Sequence, residues 1–136
     1  MKKIVLFSEG SASANVGGYG TILLYSAKER LLSAKVENTT ANRMELSAVI
    51  EGLRVLKEPC DINVVTSSRY VVKSINEWLE NWIKRDFEKV KNLDLWQEYA
   101  DLAQSHNIEA TFIQTTIGHS ENERCAQMAQ EQRSKI

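Results

Sequence analysis

Between Lys3 and Ser11, Ile4 and Leu6 interleave with Val5 and Phe7, the period-two pattern of a largely buried strand. Ser11–Gly20 is rich in Ser, Ala and Gly and reads as a turn. Tyr19–Ala27 and Arg30–Glu37 then predict two more strands, so the first third of the chain forms an antiparallel meander. At Thr39-Thr40 the period changes: Leu46, Val49, Ile50, Leu53 and Leu56 fall at helical spacing. Thr39 or Thr40 serves as the helix cap, and Pro59, beyond Lys57, marks its end. Asp61–Thr66 is a β-branched run and predicts a fourth strand. Ser68–Trp82 is helical, with Val71, Val72, Ile75, Trp78 and Leu79 facing inward. A charged segment, Ile83–Asn92, precedes a helix through Leu95, Tyr99 and Leu102. Ile108–Ile113 predicts a fifth strand, and Glu121–Arg133 a polar closing helix. The order β-β-β-α-β-α-α-β-α indicates an α/β chain: a five-stranded mixed sheet with helices on both faces.

Composition narrows the possibilities. The 136 residues suit one domain spanning 1–136, and 43% hydrophobic with 26% charged residues is ordinary for a soluble globular protein. The apolar run near the start is too short for a membrane span or signal core, and Glu9 follows it. Cys60 and Cys125 are widely separated and read as buried free thiols, which points to the cytoplasm and away from a disulfide framework. The net charge of −1 argues against tight, general binding to phosphate backbones, though it leaves room for a local basic patch.

Several words of the sequence carry more than periodicity. FSEGSASANVGGYG (7–20), TTANRMEL (39–46), TSSRYVV (66–72), INEWLENWIKR (75–85), VKNLDLW (90–96) and GHSENERC (118–125) occur in this order. With them the chain resembles type 1 ribonuclease H, the bacterial-type enzyme that cuts the RNA strand of RNA–DNA hybrids. The resemblance covers almost the whole chain and implies the ribonuclease H-like fold. It also implies four carboxylates holding two Mg²⁺ or Mn²⁺ ions. Two ions about 3.5–4 Å apart activate water and stabilise the leaving oxygen, and Mg²⁺ demands hard oxygen ligands in near-octahedral geometry.

The resemblance places that site on particular residues. The first acidic position, in a T-D-G-S-like motif, carries Glu9, one methylene longer than the family's aspartate. The second, in N-R-M-E-L, is Glu45. The third, in a T-D-S-like motif, is replaced by Ser67. The fourth follows the cysteine of N-E-R-C and is Ala126. The loop histidine position, three before His119, is Thr116; His106 aligns with neither. Two carboxylates of four remain, one of them altered. That leaves at most one weakly held ion between Glu9 and Glu45, and no cofactor otherwise. Glu121 and Glu123 read as surface or capping residues near a helix start.

The resemblance assigns nucleic-acid contacts to Asn15, Thr40, Asn42, Trp78, Lys84 and Arg85, and Arg69 is a further candidate from its place beside the lost acid. Each has a competing structural role. Thr40 and Asn42 suit helix capping as well as a phosphate pocket, in which Ala41 replaces an asparagine. The glycines beside Asn15 suit a tight strand connection. Arg69 suits either a phosphate or a salt bridge to Glu45. Trp78 and Trp82 suit the core as well as a duplex-tracking protrusion, where Glu77, Glu80, Asp86 and Glu88 dilute the positive field. The expectation is a ribonuclease H-like protein, inactive or severely impaired, that keeps weak binding of RNA–DNA hybrid or duplex nucleic acid. A protein-interaction module on the same scaffold, and a slow Mg²⁺- or Mn²⁺-dependent nuclease using Glu9 and Glu45, are the alternatives.

Overall fold

The computed structural model describes residues 1–136. The strands are β1 (Lys2–Ser13), β2 (Val16–Tyr25), β3 (Lys28–Glu37), β4 (Cys60–Thr66) and β5 (Asn107–Phe112). They form one sheet in the order β3-β2-β1-β4-β5. β1–β2 and β2–β3 are antiparallel; β1–β4 and β4–β5 are parallel. This is the mixed sheet that the pattern predicted, since the meander can close with short turns whereas the parallel pairs need helical crossovers.

The helices are α1 (Ala41–Arg54), α2 (Arg69–Lys73), α3 (Leu79–Lys84), α4 (Leu93–Ala103) and α5 (Ser120–Arg133). A π-helical turn, Ser74–Trp78, joins α2 to α3. α1 packs on one face of the sheet: the Thr21 hydroxyl donates to the Ala48 carbonyl at 2.5 Å, and Gly52 lies against Leu6. α5 lies on the other face, where Gly18 and Gly20 meet the backbone at Ala129 and Cys125. The core gathers Leu6, Leu46, Val49, Ile50, Leu53, Ile62, Val64, Val71, Trp96 and Tyr99. No helix is long and apolar enough to cross a membrane.

Four local expectations need correction. The segment Ser11–Gly20 is not a turn: β1 runs to Ser13 and β2 starts at Val16, so the connection is only Ala14-Asn15. Both residues have positive φ, 52° and 66°, as a two-residue type I′ hairpin requires. The glycines that follow therefore lie within a strand, not in its connection. A Cβ at Gly17 would overlap Met44 and Thr39, and one at Gly20 would overlap the Cys125 carbonyl, so they are needed for close helix approach. α1 ends at Arg54, capped by Val55, before Lys57 and Pro59. The helix predicted over Ser68–Trp82 continues to Lys84 and contains the π turn.

Both cysteines are free and buried, as expected. Burial pushes the Cys125 thiol up to about 12, with the Glu9 charge adding to the shift, so it stays protonated and inert. Thr40 caps α1: its hydroxyl oxygen accepts from the Arg43 N–H at 3.3 Å.

Candidate nucleic-acid and metal site

β1, α1, the end of β4 and the start of α5 converge at one end of the sheet. The β1–β4 ladder stops at the pair Phe7–Val65. Two residues further on, the alternation of side chains puts Glu9 and Ser67 on the same face. The Ser67 hydroxyl donates to Glu9 Oε1 at 2.6 Å, and the Ser67 backbone N–H donates to Oε2 at 3.1 Å. Asn122, fully buried in the first turn of α5, donates through Nδ2 to Glu9 Oε2 at 2.8 Å and to the Val65 carbonyl at 3.0 Å. Its own Oδ1 is buried without a partner.

Glu9 is 5% exposed. Burial pushes its carboxyl above the usual carboxylate range, and the bonds from Ser67 and Asn122 partly oppose that shift. Glu45, on α1, is shifted up by burial as well; a hydrogen bond from Ser68 opposes this and the Glu9 charge reinforces it. No group of three or more His, Cys, Asp and Glu side chains converges anywhere in the chain.

The other sequence-derived positions distribute as follows. Ser67 meets Glu9 directly. Ala126 lies on α5, one residue past Cys125, with no ligating atom. Thr116 sits in the loop before α5, and its carbonyl accepts the His119 N–H at 3.0 Å. Arg69 does not pair with Glu45: its guanidinium stacks over the Phe112 ring at 4.7 Å, a cation–π contact that directs the side chain towards β5. Glu123 does serve the helix start, accepting the Gly118 N–H at 3.0 Å.

Thr40, Ala41 and Asn42, with Lys91 and Asn92, line an open depression. Asn92 adopts a left-handed conformation, φ 58°, and both ends of its amide are held. Nδ2 donates to the Tyr70 hydroxyl at 2.9 Å, which also accepts from Trp96 Nε1 at 2.7 Å. Asn92 Oδ1 accepts from Arg43 at 3.3 Å, and Arg43 pairs in a fork with Asp94 at 3.0 and 2.7 Å. Asn15 lies exposed at the hairpin tip, and its carbonyl accepts the Thr39 N–H at 3.0 Å.

The two tryptophans divide the competing roles between them. Trp82 is partly buried, with its ring centroid 5.4 Å from that of Trp96. Trp78, 6.1 Å from Trp82, is 42% exposed and does not face inward as the helical spacing predicted, because the π turn Ser74–Trp78 breaks that spacing. Lys84 and Arg85, at the end of α3, are exposed.

Sequence reasoning passed over Asn122, although GHSENERC contains it. The available signal was its spacing: Asn122, Cys125 and Ala129 recur at helical intervals and form the buried stripe of α5. The Tyr70–Asn92–Arg43–Asp94 network had no such signal, because it joins three segments distant in sequence.

Comparison with known proteins yields a consistent set. The family model described as RNase H matches residues 1–134. A "Ribonuclease H" of Sulfurovum sp. is 52% identical over 137 residues, 99% of this chain and 93% of that protein. A "Ribonuclease HI" of Helicobacter pylori is 47% identical, over 95% of this chain and 92% of that one. Among solved structures, LC9-RNase H1, described as a type 1 RNase H with the type 2 active-site motif, is similar with a TM-score of 0.87. It is 25% identical, over 97% of this chain and 72% of that one.

Proposed function

This chain belongs to the RNase H family, and on that premise we propose that it binds RNA–DNA hybrid or duplex nucleic acid weakly and cleaves it slowly or not at all. The observation that carries the reading is the state of Glu9. Both of its oxygens already accept hydrogen bonds from Ser67 and Asn122. A pair of Mg²⁺ or Mn²⁺ ions needs several hard oxygen ligands in near-octahedral array. At this end of the sheet the carboxylates are Glu9 and Glu45, while Ser67 and Ala126 stand where the family's pattern has two more. The residues present do not fit the two-ion centre.

Support for binding comes from two features of the surface. The depression formed by Thr40, Ala41, Asn42, Lys91 and Asn92 presents polar groups and one lysine. Trp78, Lys84 and Arg85 present an aromatic face and two cations. Such pairing of stacking surface with positive charge suits a nucleic-acid strand. The modest charge supply predicts weak affinity that falls with salt, with a slope set by the few phosphates these cations meet.

The test combines binding and restoration. Wild-type protein is titrated with an RNA–DNA hybrid at several salt concentrations, then assayed for cleavage with Mg²⁺ and Mn²⁺ beside the Glu9→Asp, Ser67→Asp, Ala126→Asp triple variant. Salt-dependent binding without cleavage, with cleavage regained in the triple variant, is the expected outcome. Wild-type cleavage as fast as that of an active triple variant, or no wild-type binding at low salt, would overturn it.

A second reading, a slow metal-dependent nuclease, draws on the proximity of the two carboxylates, since the Glu9 charge raises the Glu45 carboxyl. Weak Mn²⁺-dependent cleavage abolished by Glu45→Gln would favour it.

A further inference from the structure

We infer that Glu9, Ser67 and Asn122 form an interlock that holds β1, β4 and α5 together where the family's pattern places metal ligands, so that this end of the fold closes without divalent ions. The inference rests on the reading that the two-ion centre is absent, and goes beyond it by giving the replaced residues a role of their own.

Three features of the geometry carry it. First, the interlock begins where the backbone ladder stops. β1 and β4 pair as far as Phe7–Val65, and the Glu9–Ser67 bonds extend the connection two residues beyond. Second, the substitutions at 9 and 67 match each other. Ser67 supplies two donors, its hydroxyl and its N–H, to the two carboxylate oxygens. An aspartate at 67 would bring a second acceptor and negative charge. At position 9 the extra methylene gives the carboxylate the reach to meet the shorter serine. Third, Asn122 ties the third element: one amide nitrogen bridges Glu9 of β1 and Val65 of β4 from the buried face of α5. No cation is needed to satisfy the Glu9 oxygens.

The test is a double-mutant cycle in the full chain. Thermal midpoints are measured for wild type, Glu9→Asp, Ser67→Ala and the double variant, each in a chelator and in millimolar Mg²⁺. Wild type is expected to melt at the same temperature with and without Mg²⁺. Each single variant is expected to melt several degrees lower, and the double variant no lower than the worse single one, because both remove the same interaction. Amide exchange at the Ser67 N–H, protected in wild type, is expected to accelerate in Glu9→Asp. This readout stands even where a variant folds poorly, since protection in wild type alone is already required. Additive midpoint losses, an unprotected Ser67 N–H, or a wild-type midpoint raised by Mg²⁺ would each overturn the interlock. Its failure is separable from failure of the functional reading: robust wild-type cleavage sinks the latter, whereas additivity without cleavage sinks only the interlock.

Discussion

Placing a single aspartate at position 67, with Glu9 left in place, is expected to damage this protein and not to repair it. The Ser67 hydroxyl now donates to Glu9 at 2.6 Å. Ser67→Asp removes that donor and puts a second carboxylate in its place. Two unit charges about 4 Å apart at an effective dielectric of about 20 repel by about 4 kcal/mol. The chain has one escape, which is to protonate one carboxyl. From an ordinary value of about 4.3, holding a glutamic acid neutral at pH 7 costs about 4 kcal/mol, and at pH 5 about 1 kcal/mol. The lost hydrogen bond to a charged group adds about 1.5 kcal/mol at neutral pH. Destabilisation of about 5–6 kcal/mol is therefore expected at pH 8 and about half of that at pH 5, against a total of about 5–15 kcal/mol for a domain. Urea denaturation in a chelator at the two pH values measures it. A Ser67→Asp variant as stable as wild type at pH 8, or equally destabilised at both pH values, would refute the reasoning.

Three further outcomes follow from other parts of the structure. His106 Nδ1 accepts the Cys60 N–H at 3.0 Å, and burial lowers the imidazole below its ordinary value. Its contribution is therefore complete above pH 6.5 and is lost as pH falls through the lower folded value. Urea midpoints between pH 8 and pH 5 should drop less in His106→Gln than in wild type. At Gly20 a Cβ would overlap the Cys125 carbonyl, so Gly20→Ala should force α5 off the sheet at a cost of about 3 kcal/mol or more, read by chemical denaturation. The tryptophans should separate stability from binding. Trp82→Ala, removing a ring packed on Trp96, should cost about 3 kcal/mol of stability. Trp78→Ala should leave stability within about 1 kcal/mol while weakening hybrid binding several-fold in a fluorescence titration.

What could be read from the sequence follows the range of each interaction. Ile4 and Leu6 in β1, or Val49, Ile50 and Leu53 in α1, announce their elements because burial of one face imposes a period on neighbouring residues. The order of elements was legible for the same reason, and motif words located Glu9, Glu45, Ser67 and Ala126. The glycines of β2 misled because flexibility and thinness look alike in a sequence. Gly17, Gly18 and Gly20 are present for close approach of α1 and α5, a fact belonging to tertiary packing. Of the two roles open to Arg69, the salt bridge to Glu45 is not formed, because the guanidinium lies over the Phe112 ring, a partner distant in sequence.

The same distinction governs the site itself. Compared position by position with the family's pattern, Glu9 is an altered ligand, Ser67 a lost one and Asn122 goes unremarked. Considered together in space, they complete one another: an acceptor with longer reach, a donor of smaller size, and an amide that spans both strands. A site that had merely lost its ligands would leave Glu9 buried at 5% exposure with nothing to offset its desolvation. Here three donors meet its two oxygens, which is why restoring one acid alone should cost stability and why cleavage should return only when the positions are changed together.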